Sequence, residues 1–268
     1  MSHELISIAL DRPAAPWLHW LEQCPSTNTW AIARFSTLQH GDVVFTRQQT
    51  AGRGQQGRTW QSPPGVLTAS VVLSIPTEHL PGLSLAAGLA VIYAIEDLTD
   101  LQETLRLKWP NDVMLQERKL AGILCESVAN HRNSQVAVGI GLNRCADFAP
   151  SCLEDSLIQK VISLHQVSAI VPDEIALLER LRHYLLETAG LWRSSAPNSC
   201  LMALLPALRQ RDFLCSKLIT IELLGEQITG KAMGMSDRGE LLLRLADGSL
   251  RAFTSGHVLW QNLEPSQL

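Results

Sequence analysis

The sequence predicts an α/β (or α+β) fold carrying a small all-β unit at its end, on three observations. Strand-like runs rich in β-branched residues alternate with helix-like runs up to about residue 211. After that point short strand-like runs follow one another with turn residues between them. The chain has 268 residues, of which 46% are hydrophobic and 18% charged, enough for one large core and an appendix.

The elements are read in chain order. Residues 1–25 hold Pro13 and Pro16, which break any long helix, and are too few for a packed helix-turn-helix module. Asn28–Phe35 is expected as a helix with Ser26 or Thr27 as its N-cap. Val43–Thr46 and Leu67–Ser74 read as buried strands, and Ser84–Leu98 as a core helix because its apolar residues recur at helical spacing with little charge. Leu105–Trp109, Gly122–Ser127 and Val136–Leu142 read as further strands, Asp173–Trp192 as an amphipathic helix and Ser199–Arg211 as another. Lys217–Leu224, Gln227–Met235, Glu240–Leu245 and Ser249–Thr254 are short strands, separated by turns at Gly225-Glu226, Asp237-Arg238-Gly239 and Asp247-Gly248. They predict a small β-barrel or meander. The boundary falls at Arg211, giving domains 1–211 and 212–268.

A net charge of −4 argues against a general nucleic-acid binder, which needs a basic face, but allows a local basic pocket. Cys24, Cys125, Cys145, Cys152, Cys200 and Cys215 show no Cys-x-x-Cys or zinc spacing and read as reduced thiols of a cytoplasmic protein. No signal peptide is read at the start, and no apolar run reaches the ~20 residues of a membrane span. The longest, Leu83–Ile95, reads as a buried helix.

Three segments carry chemistry. In Gln49–Trp60, three glycines in six positions let the backbone approach a ligand, while Arg53 and Arg58 suit a carboxylate or phosphate. No Gly-Lys-Ser/Thr follows, and a strand rather than a helix comes next, which excludes a P-loop and a dinucleotide fingerprint. Lys108-Trp109-Pro110-Asn111-Asp112 brackets a bulky tryptophan with opposite charges at a strand end. Arg118-Lys119-Leu120-Ala121-Gly122 opens another strand. A lysine there is either exposed or neutralised by an anion.

The order and spacing of Ser26-Thr27-Asn28, Gln49–Trp60, Lys108–Asp112, Arg118–Gly122 and Gly139-Ile140-Gly141-Leu142-Asn143 resemble the catalytic domain of biotin–protein ligases of the type without a DNA-binding domain. Gly234–Leu243 is similar to that family's small C-terminal domain. The resemblance implies a mixed-sheet catalytic domain related to class II aminoacyl-tRNA synthetases and an SH3-like C-terminal barrel. It implies ATP-dependent formation of biotinyl-5′-adenylate and transfer of biotin to one lysine of a carboxylase's biotin carboxyl carrier domain, with Mg²⁺ assisting the triphosphate. Lys119, Arg53 and Arg58 would be catalytic, drawing two anions together. Ser26, Thr27, Asn28, Gln49, Arg53, Gly54, Gln55 and Lys119 would contact biotin, and Arg58, Trp60, Asn111 and Asn143 the nucleotide.

The resemblance names no metal ligands and no number of subunits, since relatives occur as monomers and dimers, and it implies neither DNA nor membrane binding. The chain departs from the family pattern at Gln55-Gln56, where many members carry two arginines. Ser151–Gln166 holds only aliphatic candidates such as Val161 and Ile162 for covering an adenine, so no stacking residue is assigned. Two rival readings are a lipoate–protein ligase, which shares the adenylate chemistry, and a biotin-binding regulator without catalysis.

Overall fold

The computed structural model describes residues 15–130, 133–148, 160–194 and 201–260. Strands β1 (Leu18–Cys24), β2 (Val43–Gln49), β3 (Val66–Pro76), β4 (Arg106–Lys108), β5 (Asp112–Leu115), β6 (Arg118–Asn130) and β7 (Asn133–Asn143) build a seven-stranded sheet in the order β1-β2-β3-β7-β6-β5-β4. β1 and β2 pair parallel and the other neighbours antiparallel, so the sheet is mixed.

Residues of one strand alternate between the two faces. Leu67, Ala69, Val71 and Leu73 of β3 and Val136, Val138, Ile140 and Leu142 of β7 join the main core. Helices α2 (Leu83–Leu98) and α3 (Glu174–Ser194) pack there as well. α2 is buried almost all round and carries little charge, because it lies in the core rather than on the surface. The opposite parity of the same strands is small or polar: Thr68, Ser70, Gly139, Gly141 and Asn143. Over that second face the short helix α1 (Thr27–Ile32) seals a minor apolar cluster of Ala31, Phe35, Leu38, Val44, Val72 and Ala137.

Helix α4 (Leu205–Gln210) leads into a five-stranded antiparallel sheet of β8 (Leu218–Leu223), β9 (Glu226–Met235), β10 (Leu241–Arg244), β11 (Leu250–Phe253) and β12 (His257–Leu259), ordered β11-β10-β9-β8-β12. The β8–β9 hairpin turns on Leu224 (φ 52°) and Gly225 (φ 84°). Both central residues have positive φ, as a two-residue hairpin of matching twist requires. The expected all-β unit is present as this antiparallel sheet.

The two sheets are joined through backbone and side chains. Leu107 N donates to Arg211 O at 2.7 Å, and Phe213 N to Leu107 O at 3.0 Å. The buried Trp109 donates its indole N–H to Gly239 O at 3.0 Å. Arg211 makes a two-pronged ion pair with Glu96 of α2, at 2.6 and 2.8 Å, with both side chains almost wholly buried.

Several sequence expectations are adjusted. The strand expected over Leu105–Trp109 is Arg106–Lys108, because the chain turns at Trp109-Pro110, where proline has no N–H to offer a ladder. The helix expected over Ser199–Arg211 is Leu205–Gln210, residues 199 and 200 lying outside the described residues. The helix expected over Asn28–Phe35 is Thr27–Ile32, capped by Ser26 Oγ, which accepts from Thr29 N at 3.5 Å. β1, β5 and β12 were not anticipated. Among the described residues no helix is long and apolar enough to cross a membrane.

Candidate active site

The small and polar face of the seven-stranded sheet floors a cavity of about 500 Å³. Every candidate residue named from the sequence lines it: Ser26, Thr27, Asn28, Gln49, Arg53, Gly54, Gln55, Arg58, Trp60, Asn111, Lys119 and Asn143. The floor is open because β6 and β7 place glycines opposite one another, Gly122 facing Gly141. A Cβ on Gly141 would lie 2.2 Å from Trp60 Cζ2, and one on Gly139 would lie 2.5 Å from Asn28 Oδ1. Those glycines are therefore required by close approach rather than by backbone angle.

One end of the cavity is built of neutral hydrogen-bonding groups. Gln49 Oε1 accepts from Thr27 N at 2.9 Å and lies 3.3 Å from Thr27 Oγ1, while Gln49 Nε2 donates to Ser62 at 3.3 Å. Ser70 Oγ sits 2.7 Å from Thr27 Oγ1 and 2.6 Å from Asn28 Oδ1. Asn28 Nδ2 donates to Leu124 O at 3.0 Å and to Glu126 Oε2 at 2.9 Å. Such a connected network fixes amide and hydroxyl orientations before any ligand arrives.

The glycine-rich segment between β2 and β3 is a folded hairpin. Arg53 bridges Thr59, Gly54 N donates to Arg58 O at 2.7 Å, and Trp60 N donates to Gly52 O at 3.0 Å. Arg53 reaches across to Glu126, with Nη2 2.7 Å from Oε2. That carboxylate already holds Asn28, so Arg53 spends its charge on the frame of the neutral end. Arg58 is exposed, and its Nε donates to Gln55 O at 3.3 Å. The Trp60 ring fills the space a Cβ on Gly122 or Gly141 would take, lies 5.2 Å from Lys119 Nζ, and its indole N–H has no partner among the described residues.

The other end gathers charge. Lys119 Nζ is 2.6 Å from Asp112 Oδ1, with side chains 29% and 18% exposed. This answers the question left by the strand-opening lysine: it is partly buried and paired with a protein carboxylate. Lys108 stands opposite Asp112 across the β4–β5 hairpin. Burial holds its ammonium below the ordinary lysine value, Asp112 pulls the other way, and Lys119, Arg58 and Lys160 add to the depression. Asn111 Nδ2 donates to Ile123 O at 2.6 Å, which pins the turn onto β6. Asn143 Nδ2 donates to Lys119 O and Ile162 O, each at 3.1 Å, and so ties the segment after residue 160 to the lysine's backbone.

Sequence reading named Lys108 and Asp112 without giving them a role and missed Ser70, Glu126, Phe148 and His257. Ser70 and Glu126 carried no motif signal, being polar residues of β3 and β6 that lie outside the matched motifs. Phe148 lines the cavity, as Val161 does, and precedes in sequence the stretch searched for an aromatic, of which residues 151–159 lie outside the described residues. Gly256, His257 and Val258 of the second sheet complete the wall. Among the described residues no three metal-ligating side chains cluster. Burial pushes the Cys24 thiol up to about 11 and Cys125 up to about 12, so neither supplies a thiolate at neutral pH.

The Gly139 geometry makes a prediction. Gly139→Ala must displace the Asn28 amide, and overpacking of this size costs about 1–3 kcal/mol. Affinity for the ligand at the neutral end is expected to fall at least about tenfold with the fold retained. Calorimetric titration and thermal melting of the variant check both halves.

A mixed α/β sheet flooring a cavity of about 500 Å³, with neutral donors at one end and cations at the other, fits an enzyme that activates a small molecule. Comparison with known proteins gives the family. The Biotin/lipoate A/B protein ligase family matches residues 20–143, and the Biotin protein ligase C terminal domain matches residues 217–259. The biotin–[acetyl-CoA-carboxylase] ligase of Mycobacterium tuberculosis is 34% identical over 230 residues, 82% of this chain and 80% of that one. The bifunctional ligase/repressor BirA of Escherichia coli is 30% identical over 244 residues, 89% of this chain and 72% of that one. The solved biotin protein ligase from Aquifex aeolicus in complex with biotin and ATP superposes with a TM-score of 0.75 at 27% identity, covering 90% of this chain and 97% of that one. The chain belongs to the biotin protein ligase family.

Proposed function

We propose that this protein activates biotin with ATP, forming biotinyl-5′-adenylate and pyrophosphate, and passes biotin to a lysine of a carboxylase's carrier domain. The observation that carries the reading is the polarity of the cavity: a neutral, pre-oriented network at one end and cations at the other. A ureido ring needs hydrogen bonds without charge. A carboxylate attacking an α-phosphate needs positive charge at the meeting point. Ser26, Thr27, Asn28 and Gln49 receive the ureido ring, with Gly54 and Gln55 along the biotin chain. Lys119 leaves Asp112 for the carboxylate and then the acyl-phosphate carbonyl, and Arg58 serves the phosphates. Arg53, bound to Glu126, acts chiefly by holding the loop against the neutral end. Trp60, Asn111 and Asn143 frame the nucleotide, with Phe148 and Val161 as its apolar wall.

Mg²⁺ characteristically keeps several waters and takes one or two protein carboxylates alongside substrate phosphates. Asp112 is the carboxylate among the cavity's described lining residues, and it suits an ion that arrives with the triphosphate. Such an ion would offset charge between the phosphates. The division into a catalytic domain 1–211 and a C-terminal domain 212–268 is part of the proposal, as is a cytoplasmic setting.

Biotin-dependent release of pyrophosphate from ATP tests the reading directly. A protein that binds biotin but releases none would be a regulator. Labelled lipoate transferred in place of labelled biotin would make it a lipoate ligase.

Gln55 supports a further prediction. It lines the cavity half-buried, where an arginine could hold both ends of the adenylate through charged hydrogen bonds. Such bonds contribute about 1.5–3 kcal/mol against about 1 for neutral ones. Gln55→Arg is expected to slow adenylate dissociation several-fold to about tenfold without abolishing ligation. A stopped-flow chase of preformed adenylate measures this. An unchanged or faster off-rate would make Gln55 a spectator.

A further inference from the structure

We propose that Ser70 and Glu126, neither of which lines the cavity, are positioning residues that fix the Thr27 hydroxyl as a hydrogen-bond acceptor and so make the neutral end selective for a ring N–H. The inference rests on the ligase reading above and deepens it, since it names what the site demands of its substrate's ring.

Each hydrogen bond holds one proton between two heavy atoms, and some groups can play only one part. Leu124 O is a carbonyl and only accepts. Glu126 Oε2 accepts from Arg53 Nη2 at 2.7 Å, and a guanidinium only donates. Asn28 turns its amide nitrogen to these two oxygens, at 3.0 and 2.9 Å, which leaves Asn28 Oδ1 facing Ser70. Three contacts between oxygens follow. Ser70 Oγ is 2.6 Å from Asn28 Oδ1 and 2.7 Å from Thr27 Oγ1, and Thr27 Oγ1 is 3.3 Å from Gln49 Oε1. Only two protons serve them, one from each hydroxyl. Asn28 Oδ1 can only accept, so the Ser70 hydroxyl donates there. The Thr27 hydroxyl then donates to Ser70, since two oxygens 2.7 Å apart repel without a proton between them. No proton is left for the 3.3 Å contact.

The Gln49 amide is oriented in the same way. Its Oε1 accepts from Thr27 N, which only donates, and its Nε2 donates to Ser62. Thr27 Oγ1 and Gln49 Oε1 are therefore two acceptors side by side, on residues that line the cavity, and a donor from the ligand joins them. Ser70 is fully buried, and Thr27 and Asn28 nearly so, which shields the chain of bonds from competing water. A ureido ring brings the N–H that this pair requires. A ring with oxygen in that place brings lone pairs against lone pairs, and Thr27 can turn its proton to meet it only by giving up Ser70.

The test uses the two cyclic-carbamate isosteres of biotin, each with one ureido N–H replaced by a ring oxygen, in pyrophosphate-release assays on the intact chain. The readout is kcat/KM for biotin divided by kcat/KM for the isostere, in which the amount of folded protein cancels. For the wild-type protein at least one isostere is expected to fall at least about a hundredfold below biotin, because a site built to bond an N–H rejects a ring that lacks it. That isostere is the probe. Ser70→Ala frees the Thr27 proton to reach the ring oxygen, and the ratio is expected to drop at least about tenfold. Ser70→Thr keeps the hydroxyl and should keep the ratio. Glu126→Leu removes one of the two acceptors that orient Asn28 and should lower the ratio about threefold. It carries the test should the Ser70→Ala protein fail to fold. Loosened packing alone would slow both substrates alike. An unchanged ratio in Ser70→Ala or Glu126→Leu, a ratio lost in Ser70→Thr, or wild-type use of both isosteres as readily as biotin would overturn the proposal. Wild-type protein that releases no pyrophosphate with biotin would instead refute the ligase reading itself.

Discussion

Lys119→Ala is expected to slow adenylate formation at least about a hundredfold, the scale of losing one pre-organised electrostatic contact at a reacting centre. Lys119 is held between Asp112 at 2.6 Å and the Trp60 ring at 5.2 Å, so its ammonium is positioned before substrate arrives. The substitution has a second effect. It leaves the Asp112 carboxylate unopposed beside the place where two anions must meet. Asp112→Asn in the Lys119→Ala background is therefore expected to recover part of the lost rate, because it removes that repulsion. The ion pair is partly exposed, so its loss should cost about 1 kcal/mol of stability at most. Pyrophosphate release from single variant and double variant checks both statements. A wild-type rate in Lys119→Ala would remove the residue from the chemistry.

Deleting residues from 213 onward is expected to abolish adenylation as well as transfer. The deletion leaves the neutral end of the cavity intact in sequence, yet it removes the wall formed by Gly256, His257 and Val258. It also strips the cover from Trp109, which is 2% exposed and donates to Gly239 O. An unsatisfied buried donor costs about 1–3 kcal/mol, and this one sits between Lys108 and Asn111. Trp109→Phe separates the two effects: it keeps the apolar cover and loses only the N–H donor, so it should fold and retain most activity. A truncated protein that folds and adenylates at the full rate would show that the second sheet is dispensable.

The parts of the fold legible in the sequence were those whose residues satisfy one local rule at a time. Leu67–Ser74 reads as a strand because it is rich in β-branched residues, and Ser84–Leu98 reads as a helix because its apolar residues recur at helical spacing with little charge. β1 was hidden because Leu18–Cys24 is an edge strand, half-exposed, with polar residues where a core strand would carry valines. β5 was hidden because its first residue, Asp112, reads as part of the turn after Lys108 and the three residues that follow are too few to show an alternation. For the site, loop chemistry and motif order brought twelve residues to one cavity. What they could not give was partnership. Nothing local to Arg53 says that Glu126, 73 positions on, will take its charge, or that His257 of another sheet will line the same cavity as Lys108. Those meetings are products of strand order, which no single stretch encodes.

The Glu96–Arg211 pair has a bearing on how the protein melts. Both side chains are almost wholly buried, and breaking such a pair from one side costs about 3–5 kcal/mol. It fastens the middle helix of the core to the residue that leads into the second sheet, beside the Leu107–Phe213 backbone contact. The smaller sheet is thereby denied independent unfolding: loosening it strands a charge inside the larger unit. Cooperativity then extends across the whole chain. Calorimetry should record one heat-absorption peak, with van't Hoff and measured enthalpies equal. In Arg211→Met, where the weld is cut, that peak should divide into two.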